Sequence, residues 1–341
     1  MTNIKKYNFC TLFDSGYLSR GLALYYSLEL FCQEFHLFIF AFDNSSYKTL
    51  ISIELKSATI ISLGEFEDPR LLEVKPSRNR AEYCWTSTSS TILYCLENFK
   101  IDHCTYLDAD LYFYSSPQPI FEEIGRASIA LTEHYYTKKY DQSLTSGKYC
   151  VQFVFFRNNE EGLNAVKWWR NSCINWCYAR LENGKFADQK YLDDWSQRFN
   201  NVHIITHLGA GVAPWNVQQY DLENFDNKCI LLLNKIKNTH FNLIFYHFHN
   251  LRIAIKNNSV VVEPSKFSLT IEDERKLYTP YINRLLVIEE SLKLTNKNEN
   301  YIILFKKNSI LLKIYFSLRL MLKKYGLFQK INRTLIKSSR S

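Results

Sequence analysis

Short apolar runs and segments of helical period alternate through most of the chain. Tyr7–Leu12 reads as a strand, followed by a turn and helix start at Asp14-Ser15-Gly16, and Leu22, Tyr25, Leu28 and Phe31 then recur at helical spacing. Phe35–Phe42 is a nearly continuous apolar run ending in Asp43-Asn44-Ser45-Ser46, which predicts a buried parallel strand and the N-terminus of a helix. Thr59–Leu63 is a short β-branched run, and a polar, basic stretch at Lys75–Arg80 precedes a helix carrying Ile92, Cys95, Leu96 and Phe99. Ile101–Leu107 ends in a further buried strand, Leu111–Tyr114 continues apolar and aromatic, and Ser128–Leu131 forms the next strand. Beyond it the pattern predicts a strand at Tyr149–Phe156, a long helix over Glu160–Ala179, a short helix over Asp188–Arg198, strands at His203–Ile205 and Phe245–Phe248, and a tight loop at Gly209-Ala210-Gly211. Strands and helices in this alternation predict an α/β fold around a doubly wound sheet.

Composition adds a division of charge. The chain has 341 residues, 16% of them aromatic, and a net charge of +8. Tyr301–Ser341 holds ten of the 42 Lys and Arg residues and none of the 34 Asp and Glu, so residues 1–300 carry −2. Residues 1–270 are read as the main domain and 271–341 as a helical extension, basic and amphipathic from about 301. Were Ser309–Tyr325 helical, Ile310, Leu311, Ile314, Leu318, Met321 and Leu322 would gather opposite Lys313, Arg319, Lys323 and Lys324. Such a face suits an anionic membrane surface, or docking on the main domain. The near-neutral body argues against a nucleic-acid partner. No stretch is long and uncharged enough to span a bilayer, and no signal-peptide core precedes Tyr7. The nine scattered cysteines suit reduced core thiols, and the expected location is cytoplasmic, with a peripheral position on the inner face of the cell membrane open through the tail.

Four constellations carry candidate chemistry. Asp108 and Asp110 interrupt an apolar run at a strand end, where unpaired carboxylates are costly and a divalent cation would compensate them; a turn is the plainer reading. Alternation puts His247 and His249 on one strand face, a common arrangement for metal ligands. Asp188 is a helix N-cap candidate, whereas Gln189 behind it has no evident structural duty. Arg78 and Arg80, near Tyr83 and Trp85, would suit a diphosphate or simply form a solvated basic loop. The chain has no Walker-type loop, no Gly-x-Gly-x-x-Gly after a strand and no Gly-x-Ser-x-Gly.

Six blocks in order, Cys10–Tyr17, Arg80–Thr86, Tyr106–Leu111, Phe186–Leu192, Gly209–Asn216 and Phe245–His249, resemble bacterial sugar-nucleotide glycosyltransferases of the GT-A fold, close to the retaining GT8-like enzymes. The resemblance spans roughly residues 7–253 and implies a Rossmann-like mixed sheet. It implies that Asp108 and Asp110, with His247, hold Mn²⁺ or Mg²⁺ on a nucleotide diphosphate. Phe13, Asp14 and Tyr17 would meet the nucleoside, Arg80 the diphosphate or donor sugar, and Asp188 and Gln189 the anomeric carbon. Relatives commonly read Tyr-Asn-Val-Gly-Phe where this chain has Tyr149-Cys150-Val151-Gln152-Phe153, which puts a weak donor and extra bulk beside the sugar. The implied activity is metal-dependent, retaining transfer from a nucleotide-sugar, a UDP-sugar first, to a glycan or lipid-linked glycan in bacterial surface polysaccharide or lipopolysaccharide synthesis. The alternatives are a metal-dependent hydrolase built from the two aspartates and two histidines, and a non-catalytic nucleotide-sugar- or glycan-binding relative.

Overall fold

The computed structural model describes residues 6–223, 230–256, 259–262 and 266–295. Its centre is a seven-stranded sheet of β1 (Tyr7–Phe13), β2 (Phe35–Ala41), β3 (Ala58–Ser62), β4 (His103–Leu107), β6 (Ile129–Glu133), β7 (Tyr149–Arg157) and β8 (Val202–Ile205), in the order β3-β2-β1-β4-β7-β6-β8. β1, β2, β3 and β4 run parallel, β7 lies antiparallel between β4 and β6, and β8 is parallel to β6. Buried runs such as Phe9–Phe13 and Phe153–Phe156 are apolar on both faces because helices cover both sides. Leu18–Phe31 packs on one face with Phe9, Leu37, Phe153 and Phe155, and Arg80–Asn98 and Glu160–Asn175 cover the other with Phe38, Phe40, Val154 and Phe156. This is the doubly wound arrangement expected.

A second, three-stranded sheet decides where the chemistry falls. β5 (Leu111–Phe113) leaves the main sheet and pairs with β13 (Phe245–His247), which in turn pairs with β9 (Ala210–Val212). A small antiparallel sheet of β10 (Tyr220–Leu222), β11 (Leu231–Asn234) and β12 (Thr239–Asn242) lies between β9 and β13 in sequence. The helix Thr279–Thr295 packs on Leu18–Phe31, with Tyr281 stacked on Phe248 at 3.7 Å between ring centres. Residues 301–341, with the basic segment Ser309–Tyr325, lie outside the described residues.

Several expected boundaries move. The apolar stretch from Ile101 to Tyr114 is two strands in two sheets, because the Asp108–Asp110 turn redirects the chain. Gly209–Gly211 is not a free loop: Ala210 begins β9, and the Gly209 carbonyl accepts from Ile244 and Phe245. The long helix stops at Asn175, where Trp176 turns extended and its indole donates to Glu182 at 3.1 Å. The 3₁₀ turn Gln189–Asp194 that follows Asp188 has no side-chain cap bond, so the expected helix cap is not made there. The eight described cysteines are free thiols, seven of them buried, as their apolar surroundings suggested.

Candidate active site

The carboxyl ends of β1 and β4 open on the same edge of the sheet, and the strand order reverses between them. Ligands of open α/β sheets bind outside such a point. The turn after β4 is tied down on both sides. The Asp108 amide donates to the Gln152 carbonyl at 3.1 Å, the Leu111 amide donates to Asp108 at 3.1 Å, and the Phe248 amide donates to Asp110 at 3.0 Å. Asp110 is buried and Asp108 is half-buried.

Register brings the third group. β13 pairs antiparallel with β5 so that His247 lies opposite Leu111, one residue past Asp110. His247 Nε2 lies 3.0 Å from Asp110 Oδ1 and 3.7 Å from Asp108 Oδ2. The three ligand atoms fall within 4.8 Å of one another. Burial raises the Asp108 carboxyl, His247 opposes that, and repulsion from Asp110 adds to it; the net shift is upward. Burial would also raise Asp110, but the charge of His247 and its hydrogen bond outweigh it, and the net shift is downward. For His247, burial disfavours the imidazolium, yet Asp110 first and Asp108 after it raise its pKa well above the usual value. Two carboxylates facing one imidazole leave a negative surplus in a buried place. With two oxygen donors and one imidazole nitrogen, the set fits Mn²⁺ or Mg²⁺ better than a thiolate-seeking ion.

Asp188 is close enough to Asp108 to feel its charge. Its carbonyl accepts the Trp169 indole N–H at 2.9 Å, and Thr88 offers its carboxylate a hydrogen bond. Burial, then the charge of Asp108, push its pKa up to about 7. Ala187 before it has φ +48°, a left-handed conformation costing an L-residue about 1–2 kcal/mol, and is itself buried. Gln189 does have a duty: its amide nitrogen donates to the Ser146 carbonyl at 2.6 Å.

At the end of β1, Asp14 accepts from the Gly16 amide at 2.8 Å and pairs with Arg80. Arg80 also reaches Asp43 at 3.4 Å, so its half-free guanidinium is held over the mouth of β1. Tyr17 lies under the Arg20 guanidinium at 4.7 Å, and burial, then Asp110, push its hydroxyl pKa up to about 12. Phe13 is different: its ring is buried against Gly21, where an added Cβ would lie 2.2 Å away, and its carbonyl accepts from the Phe42 amide at 2.9 Å. Arg78 does not join Arg80, because it lies over the Tyr178 ring at 3.9 Å and donates to the Ile174 carbonyl at 3.2 Å. Tyr83 donates to Glu67 at 2.6 Å, away from any shared site with Arg80. His249 stays outside the trio, with its Nε2 2.8 Å from the Asn250 amide.

Sequence reasoning missed the residues that hold His247. Gln152 Oε1 lies 2.8 Å from His247 Nδ1, and Trp215 meets the rings of both His247 and His249 edge-on at 5.4 Å. Trp215 is fixed by its own indole bond to the His134 carbonyl at 2.8 Å, and Asn216 bonds the same carbonyl at 2.8 Å. The only signal was the departure of Gln152 from the usual small residue, which pointed to bulk rather than to a partner.

No family model matches the chain. The Bacillus subtilis (strain 168) protein YfnF is 32% identical over 257 residues, covering 73% of this chain and 83% of its own. YfnD of the same organism is 29% identical over 293 residues, covering 82% of this chain and 88% of its own. Among solved structures, a crystal structure of the galactosyltransferase LgtC with donor and acceptor sugar analogs superposes with a TM-score of 0.51 at 10% identity. It covers 82% of this chain and 95% of LgtC. At that identity the likeness is one of fold, and the fold is the GT-A type.

Proposed function

The chain belongs to the family of Bacillus subtilis YfnF, and we propose that it is a metal-dependent, retaining glycosyltransferase that moves a sugar from a UDP-sugar to a glycan acceptor in bacterial surface polysaccharide synthesis. The observation that carries this reading is the convergence of Asp108, Asp110 and His247 at the switch point of a GT-A sheet. A lipid-linked acceptor fits the basic tail, whose charge suits an anionic bilayer.

In this reading the nucleoside rests on the end of β1, against Phe13, Asp14 and Tyr17. Arg80 stands beside the diphosphate. Asp108, Asp110 and His247 would hold a divalent cation, and its positive charge would offset the negative charge of the leaving diphosphate. The two aspartates are therefore not the base or the nucleophile. Gln189, its nitrogen committed to Ser146, offers its carbonyl oxygen to a sugar gaining oxocarbenium character. Asp188, with a pKa near 7, is poised to be ionised beside that positive charge. The acceptor hydroxyl attacks from the leaving-group face and the departing phosphate takes its proton, so no dedicated protein base is needed.

The test is incubation with a panel of nucleotide sugars and Mn²⁺, scoring both binding and UDP release. Wild type is expected to release UDP with one of them, and Asp108→Ala and Asp110→Ala are expected to lose metal-dependent release. Turnover at the wild-type rate in either variant sinks the assignment. Binding without release would mark a non-catalytic relative, and zinc-dependent, nucleotide-independent hydrolysis would mark the hydrolase.

A further inference from the structure

We propose, on the premise of the metal site above, that Gln152 is a positioning residue that sets the tautomer of His247 and so presents its Nε2 lone pair to the cation. The argument is a chain of hydrogen bonds followed from its one fixed acceptor, with the Gln152 oxygen placed toward the imidazole. It begins at the Cys150 carbonyl on β7, which can only accept, and which receives the Thr132 hydroxyl of β6 at 3.4 Å. Having spent its proton there, the Thr132 oxygen is free to accept, and the Gln152 amide nitrogen lies 3.5 Å from it. That turns the Gln152 carbonyl oxygen toward His247 Nδ1, 2.8 Å away. A carbonyl oxygen cannot donate, so Nδ1 must carry the proton. In the neutral ring Nε2 is then the unprotonated nitrogen, and Nε2 is the atom that faces Asp110 and Asp108. An imidazole bound to metal through one nitrogen commonly donates through the other, and losing that partner typically costs 10–100-fold in metal affinity.

Two further observations show that the place is built for an amide. Gln152 is wholly buried, so its carboxamide must find partners within the protein. Gly211 on β9 has φ +124°, and a Cβ there would lie 2.9 Å from the Gln152 nitrogen. That glycine leaves room for the side chain. The extra bulk of Gln152 is thus a support reaching across 95 residues to the imidazole.

The experiment measures Mn²⁺ affinity of the full chain, with UDP present, from the EPR signal of free Mn²⁺. Gln152→Met keeps the length and removes the acceptor, and is expected to weaken binding about tenfold or more. Gln152→Glu keeps an acceptor and is expected to retain affinity. In a His247→Ala background Gln152→Met is expected to change nothing further, which a merely structural role would not produce. A second readout uses ¹⁵N-histidine-labelled protein with Mg²⁺: His247 is expected to be protonated at Nδ1 in wild type. If Gln152→Met fails to fold, Thr132→Val, which removes the pin on the amide, carries the same expectation at smaller size. Equal Mn²⁺ affinity in wild type and the folded variant, or protonation of Mg²⁺-loaded His247 at Nε2, overturns the inference while leaving the metal site standing. Failure of the wild type to bind Mn²⁺ overturns the metal-site reading, and this inference with it.

Discussion

Asp188 is a carboxyl whose ionisation the fold opposes. Burial, then Asp108, raise its pKa from about 3.8 to about 7. Between those values the folded chain holds a proton that the unfolded chain has released. Stability therefore falls as pH rises from about 4 to about 7, and the loss is complete above the folded value. Asp188→Asn cannot ionise and removes that slope. In EDTA, where no cation neutralises Asp108, the variant is expected to have a higher Tm than wild type at pH 8 and a similar one near pH 4, while transfer activity is lost. A wild-type Tm that falls no more steeply than the variant's between those pH values would count against the assignment. The stored cost fits a group that is useful when charged: a neighbouring positive centre, whether cation or developing oxocarbenium, recovers the charged form.

At the scale of elements, the site depends on how closely Leu18–Phe31 approaches β1. Gly21 faces the Phe13 ring, and a methyl there would lie 2.2 Å from Phe13 Cε1. Gly21→Ala gains up to about 1 kcal/mol of helix propensity, but overpacking a buried ring costs roughly 1–3 kcal/mol, so the clash wins. Urea unfolding is expected to show lower stability, and UDP binding to weaken because the ring moves with the strand end that carries Asp14. Adding Phe13→Leu should restore much of the stability, and a stable Gly21→Ala single variant would contradict the packing. The elements themselves were largely legible. β1, β2, β4 and β7 stand within a residue or two of their apolar runs, because a strand covered on both faces needs uninterrupted hydrophobic side chains. Asp108 and Asp110 were legible for the converse reason, as charges where burial is expected. What could not be read were pairings across sheets. That His247 opposes Leu111, or that Gln152 meets His247, leaves no period in the sequence, since a single long-range contact constrains only two positions. Asp188 was open to two readings, cap or buried functional carboxylate, because both use the same residue type; the structure shows no side-chain cap bond there.

On the scale of the whole molecule, charge is divided sharply along the chain. Residues 1–300 carry −2, and the last 41 residues hold ten cations with no acidic residue. A near-neutral body has little attraction for an anionic bilayer, whereas each basic residue near such a surface contributes about 1 kcal/mol. The expected consequence is that the full chain floats with vesicles containing phosphatidylserine and a truncation after Asn300 does not. Because Debye screening shortens to about 3 Å at 1 M salt, flotation should fall steeply between 0.1 and 1 M NaCl if charge dominates, and persist if the apolar residues of 310–322 insert. All the residues of the proposed site fall within residues 1–300. UDP release with a soluble acceptor should therefore survive truncation, and the loss should appear only with acceptor presented in vesicles. Equal flotation of the two forms would remove the membrane from the account. An equal loss with soluble and vesicle-bound acceptor would instead make the tail part of the catalytic body.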